Sequence, residues 1–398
     1  MNYIKIINIF NENSLKMNKK KIVVALSGGV DSSVAALMLK NEGHNVIGLF
    51  MRNWHDKSLV INNECPWVED SYHALEVANQ IDIPFQIIDL SKEYKERIID
   101  YMIAEYAKGN TPNPDILCNR EIKFDVFLQY ALKLNANYVA TGHYCRKAKE
   151  HKQYFLKQGK DPLKDQSYFL SQINQEQLKK IIFPIGHLTK KEVREIAKQN
   201  HLITATKKDS QGLCFVGKIK LPVFLQKKIK SKKGDIIEIQ KESKLYHQPQ
   251  TIGESIKYEP KDGKKIGTHN GAHNFTIGQR KGVNISGKKE PVFVISTNTE
   301  NNTIYVGMGK NHPGLFRKNL KIKAQKTHWL IEGERLQPKS EKKYLVRIRH
   351  RQKLQKASLK MSDDYLYILF KKPQRGIAKG QFAAWYKNDI LIGSGPIS

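Results

Sequence analysis

A glycine-rich segment with serine hydroxyls and an aspartate stands between an apolar run and a helix-like pattern. Its residues are Ser27-Gly28-Gly29-Val30-Asp31-Ser32, directly after the β-branched run from Lys21 to Leu26. Paired glycines allow the backbone to approach an anion closely, and a helix N-terminus offers unpaired N–H groups and the positive end of a dipole. The pattern predicts a phosphate-binding loop. It is not a Walker A loop, because no Lys-Ser or Lys-Thr pair follows a GxxxxG spacer.

Thiols are the second group that could do chemistry. The four cysteines stand at 65, 118, 145 and 214, and no pair has the CxxC spacing of a zinc ribbon or a dithiol redox loop. Cys118 comes three residues after Asp115, in a segment whose two closely spaced prolines predict a loop at its start. Cys214 stands in a polar segment after a glycine. Structural roles are predicted for Cys65 and Cys145, although Cys65 lies in a loop near the expected nucleotide site.

The phosphate loop resembles the SGGxDS loop of the ATP-pyrophosphatase family, whose members adenylate a carbonyl or carboxyl oxygen and differ in the nucleophile that follows. Further motifs, in order from about Lys20 to the C-terminus, are similar to those of the tRNA-specific 2-thiouridylases. They are Met51-Arg52-Asn53-Trp54, Pro112 to Asn119, Gly142-His143, Lys164 to Tyr168, Asp209 to Phe215, Gly278 to Gly282 and Arg347 to Gln352. The number and order of these motifs make the resemblance specific.

The resemblance implies an enzyme that adenylates the 2-carbonyl oxygen of the wobble uridine of tRNA and expels pyrophosphate. Cys214 would carry a persulfide received from a sulfur donor, such as a cysteine desulfurase or a sulfur-relay protein. Cys118 would attack that persulfide, releasing hydrosulfide and closing a Cys118–Cys214 disulfide. Alternatively, the persulfide attacks the base directly and the disulfide forms as AMP leaves. Both routes need two thiols, with a thiolate as the nucleophile, and Asp115 would contact the base or take a proton.

The same resemblance implies the binding residues, with ATP and Mg²⁺ as cofactors and Asp31 helping to hold Mg²⁺ at the phosphates. ATP would be bound by Ala25, Leu26, Ser27, Gly28, Gly29, Val30, Asp31, Ser32, Met51 and Gly142. The target base would meet Asn113, Pro114 and Asp115, and the rest of the tRNA would meet His143, Lys164, Asp165, Gln166, Arg349, His350 and Gln381. No dedicated metal-ligand cluster is expected. His350 stands where the family often has tyrosine, so its contact would be stacking by an imidazole.

Composition bears on the partners. A net charge of +30 favours contacts with a polyanion such as tRNA. Lysine far outnumbers arginine, however, and asparagine and isoleucine are abundant, a pattern that the codon bias of an AT-rich genome also produces. Few cysteines and the lack of a recognisable export signal predict a reducing cytoplasm. No apolar run approaches the roughly 20 residues of a spanning helix, so no membrane contact is expected.

These residues need a scaffold, and the chain pattern predicts three parts after a flexible extension at 1–19. Strand-like runs alternate with helical patterns, which predicts an α/β ATP-pyrophosphatase domain with a doubly wound parallel sheet over 20–216. Short alternating segments with glycine turns then predict a small β-rich middle domain over 217–282. A C-terminal β-barrel that binds tRNA is predicted over 283–398.

Two rival functions stay open at this stage. The loop alone also fits another ATP-pyrophosphatase with a different acceptor, but no ammonia-producing, N-terminal RNA-binding or rhodanese-like domain is visible. A non-catalytic RNA-binding protein with a degenerate nucleotide site is disfavoured, because Ser27, Asp31, Asp115, Cys118 and Cys214 are all present.

Overall fold

The computed structural model describes residues 19–53, 66–209 and 221–398. Cys65 and Cys214 lie outside these ranges, as do Trp54, nearly all of the predicted extension and most of the Asp209 to Phe215 motif. Within these ranges, no helix combines the length and the apolar character that crossing a lipid bilayer requires.

The first part of the chain alternates strands with helices. Its strands are β1 (Lys21–Ala25), β2 (Asn45–Arg52), β3 (Phe85–Asp89), β4 (Tyr138–Ala140), β5 (Cys145–Glu150), β6 (Gln153–Gln158) and β7 (Ile181–Ile182). Its helices are α1 (Val30–Asn41), α2 (Pro66–Gln80), α3 (Ser91–Tyr94), α4 (Asp100–Ala107), α5 (Pro114–Leu117), α6 (Phe127–Lys133), α7 (Gln175–Lys180) and α8 (Lys190–Gln199). Two π-helical stretches, Lys95–Ile99 and Cys118–Val126, continue into α4 and α6.

Five of these strands form a parallel sheet in the order β3-β2-β1-β4-β7. Alternate residues of β1 enter different cores, since Val23 packs in the same cluster as Leu49 on one face and Ile22 in the same cluster as Val46 on the other. A central parallel strand is buried on both faces because helices cover both sides of the sheet. The predicted doubly wound α/β domain is confirmed.

A second sheet follows helix α9 (Leu221–Lys228). It contains β8 (Lys233–Glu238), β9 (Lys264–Asn270), β10 (Val292–Asn298) and β11 (Thr303–Met308), in the order β10-β11-β8-β9. This sheet crosses the boundary predicted at 282/283. The hairpin of β10 and β11 belongs to the middle part together with β8 and β9, because Val294 and Ile304 pack in the same apolar core as Ile236. We therefore place the end of the middle part after Met308.

The third sheet forms the C-terminal part. Its strands are β12 (Phe316–Lys323), β13 (His328–Trp329), β14 (Glu341–Arg347), β15 (Gln355–Met361), β16 (Tyr365–Arg375), β17 (Phe382–Lys387) and β18 (Ile390–Pro396). They run in the order β12-β16-β15-β14-β17-β18-β6-β5, with β13 beside β18. The sheet curls back on itself, since the N–H of Ser398 donates to the carbonyl of Lys321 at 2.9 Å. The hairpin of β5 and β6, inside the predicted first domain, joins this sheet through the pair Ile390 and Lys157.

Candidate active site

The phosphate loop leaves β1 and enters α1 at the carboxyl edge of the parallel sheet, where ligands of such sheets bind. Ser32 Oγ accepts the backbone N–H of Ser27 at 3.1 Å and donates to the Gly29 carbonyl at 3.1 Å. Gly28 has a φ of +69°, and a Cβ there would collide with the carbonyl of Asp70. Gly29 gives α1 no side-chain cap. The N–H groups of the first helical turn are therefore the natural binding surface for an anion.

Four more predicted nucleotide residues surround this loop. Gly142 follows β4 and lies so close that an added Cβ would be 2.6 Å from the backbone nitrogen of Ser32. Met51, near the end of β2, is buried, as are Ala25 and Leu26 at the end of β1. The predicted nucleotide residues thus lie together at one edge of the sheet.

Asp31 lies in the first turn of α1 between two partners from distant segments. Its carboxylate accepts the Tyr144 hydroxyl at 2.7 Å and contacts the Lys190 ammonium at 2.7 and 2.9 Å. Burial and the Asp31 carboxylate raise the pKa of Tyr144, so the phenol remains a donor. Sequence reasoning missed Lys190. Thr189 and Glu192 form a capping box, which indicates a helix start but not the direction of the lysine at its first position.

Lys190 also joins the phosphate loop to the start of the Cys214 motif. Its ammonium lies 2.8 Å from Asp209, whose carboxylate also meets Lys164 at 2.6 Å and Arg194 at 3.0 Å. Partial burial would raise the pKa of Asp209, but the hydrogen bonds from Lys164 and Lys190 hold it below its ordinary value. Lys164, a predicted tRNA contact, therefore belongs to a cluster of cations beside the phosphate loop.

The segment before Cys118 becomes helical at Pro114. Asn113 caps α5 by accepting the backbone N–H of Ile116 at 3.2 Å, and Pro114 takes the first helical position, where its missing N–H is not needed. Asp115 lies in the first turn, and the buried Cys118 begins the π-helical stretch. The predicted loop thus ends at Asn113, and the carboxylate and the thiol lie on adjacent helical turns.

The C-terminal barrel contacts this segment directly. Asn113 Nδ2 donates to Gln381 Oε1 at 3.4 Å, and Gln381 Nε2 donates to the Thr111 carbonyl at 3.0 Å. The N–H of Thr111 donates to the Lys379 carbonyl at 2.7 Å. Gly380, with a φ of +86°, permits the approach, since an added Cβ would lie 3.0 Å from the backbone of Thr111. Asn113 and Gln381, predicted from separate motifs, are hydrogen-bonded neighbours.

The carboxylate of Asp165, a predicted tRNA contact, is bound by other residues of the protein. Its side chain is 2% exposed and accepts from Arg347, itself 4% exposed, at 2.5 Å. It also accepts from Gln158 Nε2 at 2.9 Å and from the N–H of Gly159 at 3.1 Å. Burial would raise the pKa of Asp165, but the Arg347 guanidinium, together with hydrogen bonds from Gln158 and the Ser167 N–H, more than offsets this and lowers it. We therefore interpret Asp165 as a residue that fixes the barrel to the first domain, not as a direct tRNA contact.

His350 and Arg349 follow the end of β14. The His350 ring lies 4.4 Å from the Phe169 ring, and its Nε2 donates to the Asp165 carbonyl at 3.1 Å. Burial lowers the pKa of His350, so the ring is neutral with its proton on Nε2. The Arg349 guanidinium donates to the Arg375 carbonyl, and burial lowers its pKa with Arg375 adding to the effect. The His350 ring thus packs against Phe169 at an interplanar angle of 43°, and stacking on a base stays a prediction.

Gln166 and His143 lie close to the phosphate loop. Gln166 Oε1 accepts the backbone N–H of Tyr144 at 3.0 Å, and the hydroxyl of the same tyrosine holds Asp31. His143 is buried, with its Nδ1 2.8 Å from Thr141 Oγ1, and burial lowers its pKa well below the ordinary value. Neither side chain is charged, so the contacts with tRNA predicted for them would be hydrogen bonds or packing, and they stay predictions.

Two of the four cysteines, Cys118 and Cys145, lie within the described residues, and both are buried. Cys145 is buried and burial raises the pKa of its thiol, which fits the structural role predicted for it. Cys118 is the one predicted sulfur-handling cysteine within the described residues, since Cys214 lies outside them together with Cys65. In the same ranges no group of three or more His, Cys, Asp or Glu side chains could hold a metal ion.

Three family models match successive parts of the chain. Residues 20–218 match the tRNA methyl transferase HUP domain and residues 223–308 the tRNA methyl transferase PRC-barrel domain. Residues 319–397 match the Aminomethyltransferase beta-barrel domain. The second match ends at residue 308, where β11 and the second sheet also end. The three matched ranges therefore correspond to the three sheets of the structure.

Two relatives that match almost the whole chain carry the same name. A tRNA-specific 2-thiouridylase MnmA from Flavobacterium johnsoniae is 54% identical over 394 residues, which is 95% of this chain and 100% of the relative. The protein of that name from Christiangramia forsetii has the same identity and coverage. The solved structure of NMN synthetase from Francisella tularensis is 18% identical, with 54% of this chain and 76% of that chain covered and a TM-score of 0.33, too low for any argument. This chain belongs to the tRNA-specific 2-thiouridylase family.

Proposed function

We propose that this chain uses ATP to replace the 2-oxygen of the wobble uridine of tRNA by sulfur, in the cytoplasm. ATP adenylates the 2-carbonyl oxygen, pyrophosphate leaves, and sulfur then displaces AMP. The observation that supports this most is the hydrogen bond between Asn113 and Gln381 at 3.4 Å. It joins the helix that carries Cys118 to the barrel expected to hold the tRNA, so a base held between them would lie beside the thiol.

The phosphate loop supports the ATP half of the proposal. The first-turn N–H groups of α1 and the hydroxyls of Ser27 and Ser32, which lie 3.1 Å apart, suit the oxygens of pyrophosphate. Lys190 adds a cation next to Asp31. Positive charge aimed at a leaving group stabilises the transition state as negative charge develops there.

Mg²⁺ fits the same place. A carboxylate oxygen is a ligand that Mg²⁺ prefers, and protein-bound Mg²⁺ commonly uses one or two carboxylates together with substrate phosphates. The Lys190 ammonium lies 2.7 Å from Asp31 and 2.8 Å from Asp209, so the two carboxylates already attract one cation. Asp31 would hold the ion, which when bound neutralises charge on the phosphates of ATP.

Cys118 and Cys214 divide the sulfur chemistry in this proposal. The Cys118 thiolate attacks Sγ of the Cys214 persulfide, the Cys118–Cys214 bond forms, and the terminal sulfur leaves as hydrosulfide. Hydrosulfide adds to C2 of the adenylated uridine and AMP departs. A cellular thiol then reduces the disulfide. Asp115, three residues before Cys118, is the carboxylate best placed along the helix to contact the base or take a proton.

The test is thiolation of a tRNA transcript with ATP, Mg²⁺ and a persulfide-charged cysteine desulfurase, followed by mass spectrometry of the nucleosides. We expect 2-thiouridine with the wild type and with Cys65→Ser, and none with Cys118→Ser or Cys214→Ser. Cys118→Ser should still accept sulfur from the donor, whereas Cys214→Ser should not. Thiolation by both serine variants would contradict the sulfur transfer. A different modified nucleoside would instead mean another acceptor.

A further inference from the structure

Two arginines at the junction of the barrel and the middle part have no countercharge. Arg375 ends β16, and Arg349 follows β14. Within the described residues no carboxylate forms an ion pair with either guanidinium, whereas Arg335 of the same barrel pairs with Glu332 at 3.0 Å. Burial lowers the pKa of Arg349, and the like charge of Arg375 is close enough to add to the effect. An anion between the two guanidiniums would relieve their repulsion.

Both side chains are held in place, yet most of their donors are unused. The guanidinium carbon of Arg375 lies 4.7 Å from the centre of the Phe293 ring of β10, a cation–π contact that fixes its direction. The Arg349 guanidinium donates to the Arg375 carbonyl. Each guanidinium has several further N–H groups in a rigid fork whose geometry matches the oxygens of a phosphate. The pair is therefore preorganised for an anion with several oxygens.

Two glycines keep the space beside these guanidiniums open. Gly278 and Gly376 have φ of +89° and +68°, and their turns touch, since a Cβ on Gly376 would lie 3.4 Å from the Ile277 carbonyl oxygen. A Cβ on Gly278 would lie 3.7 Å from Arg375 Nη1, and one on Gly376 would lie 3.7 Å from Arg349 Nη2. A side chain at either position would begin in van der Waals contact with a guanidinium nitrogen, so the glycines leave room for a ligand.

The surroundings of this space favour RNA. The Gly278 turn continues into Arg280 and Lys281, both exposed, and it contains no carboxylate. It starts beside the segment that leads into helix α5, because Thr276 Oγ1 lies 3.2 Å from Thr111 Oγ1. A phosphate bound here would therefore belong to a nucleotide near the base that α5 is proposed to meet. Phosphates of an RNA backbone are contacted mainly by arginine and lysine, and such contacts fix the position of the RNA.

We infer that Arg349 and Arg375, across the open turn at Gly278, clamp one phosphate of the tRNA anticodon loop. Arg349 is expected to contact tRNA from its motif, whereas Arg375 and the shared phosphate come from the structure. This rests on the proposed function and adds to it a contact that positions the RNA backbone while α5 meets the base.

The test is a scan of synthetic anticodon stem-loops, each with one phosphate replaced by a neutral methylphosphonate. Binding of each stem-loop to the full chain is measured at low salt. In the wild type, neutralising the clamped phosphate should weaken binding about tenfold, as loss of a charge-assisted contact does. Arg349→Met and Arg375→Met should each weaken binding of the unmodified stem-loop by a similar factor, and the same methylphosphonate should then lose most of its effect. Arg335→Met, which removes an equal charge from the barrel, should keep the wild-type pattern.

Salt dependence counts the phosphates. The double variant Arg349→Met with Arg375→Met should lower the slope of log affinity against log salt by about 0.7 to 0.9, the value for one phosphate. A drop twice as large would overturn the shared clamp, as would loss of sensitivity to different phosphates in the two single variants. A raised KM for ATP with unchanged stem-loop binding would overturn it too, since the anion would then be a free or nucleotide phosphate.

The fold and the proposed function are controlled separately. Arg349 is exposed, so Arg349→Met should fold even if Arg375→Met does not. Full sensitivity of Arg349→Met to the clamped phosphate would overturn the clamp by itself. If instead the proposed function fails, the wild type would bind the stem-loop without thiolating its uridine.

Discussion

Two aspartates of the first domain, Asp31 and Asp165, each pair with a cation, and the surroundings of the two pairs differ. Asp31 and Lys190 meet at 2.7 Å with side chains 32% and 13% exposed. Asp165 and Arg347 meet at 2.5 Å with side chains 2% and 4% exposed. The first pair stands at the edge of the sheet beside the phosphate loop, and the second is enclosed between the first domain and the barrel. The side chains of Asp31 and Lys190 can therefore bind a ligand in place of each other, whereas Asp165 and Arg347 hold the first domain and the barrel together.

The neighbours of the two pairs agree with this difference. Lys190 is shared between Asp31 and Asp209, so it can leave either carboxylate without stranding a buried charge. The Arg347 guanidinium is also bonded to Ser167 and to the Tyr386 hydroxyl, and Asp165 and Tyr386 raise its pKa despite burial. A buried pair of this kind stabilises only when both partners are present.

The largest expected effect concerns the buried pair. Arg347→Met should lower the free energy of unfolding by about 3 to 5 kcal/mol, because it leaves the Asp165 carboxylate buried without its countercharge. Chemical denaturation monitored by fluorescence measures the change. The double variant Asp165→Asn with Arg347→Met should recover much of the loss, since no buried charge remains. An equal loss of unfolding free energy in the single and double variants would mean that the unpaired Asp165 carboxylate is not the cause of the loss.

Breaking the Asp31–Lys190 pair should affect activity more than stability, the reverse of what is expected for Asp165 and Arg347. Lys190→Met should change the free energy of unfolding by about 1 kcal/mol, less than Arg347→Met does, because the carboxylates of Asp31 and Asp209 stay about one third exposed to water. It should slow pyrophosphate release by about a hundredfold, because a preorganised cation at the leaving group is lost. Lys160→Met is the control, since Lys160 pairs with Glu192 of the same helix α8 and has no contact with Asp31. An equal slowing in both variants would refute a specific role for Lys190.

A smaller effect should appear in acid. The pKa of Asp165 is below its ordinary value, so the folded state gains stability from this carboxylate above the ordinary aspartate pKa of about 3.9. That stability is lost as the pH falls below about 4 and through the folded-state pKa. The acid limb of a stability profile should therefore be shallower in the Asp165→Asn, Arg347→Met double variant than in the wild type. Identical limbs would mean that Asp165 does not contribute to acid unfolding.

Residues that act within one short segment could be predicted from the sequence. The phosphate loop needs only a strand, two glycines and a helix start, and the structure has Gly28 at a positive φ and Asp31 in the first turn of α1. The order of strands and helices likewise predicted the parallel sheet. The cap of α5 shows the limit of local rules, since the two prolines predicted a loop at the start of this segment and the helix begins already at the second of them, Pro114.

Residues that act through distant partners could not be predicted. Nothing near Lys190 indicates that its ammonium reaches Asp31, which is 159 positions away. The sequence motif of Asp165 gave no sign that its carboxylate is buried against Arg347, because burial depends on the barrel sheet. The second sheet continues past the boundary predicted at 282/283 for the same reason, since strand pairing between β8 and β11 is set by tertiary packing.

The smallest expected effect tests the second partner of Asp31. Tyr144→Phe removes one hydrogen bond to Asp31 and keeps the buried ring, so it should cost about 0.5 to 1.5 kcal/mol of transition-state stabilisation, as a single hydrogen bond does. Pyrophosphate release should therefore slow by about twofold to tenfold, with the KM for tRNA unchanged because Gln166 still bonds the backbone of residue 144. Tyr154→Phe, in strand β6, is the matched control. A loss as large as that of Lys190→Met would show that the phenol, not the ammonium, sets the position of Asp31. An unchanged rate in Tyr144→Phe would mean that Lys190 alone positions Asp31, in contrast to Asp165, which is held by several partners.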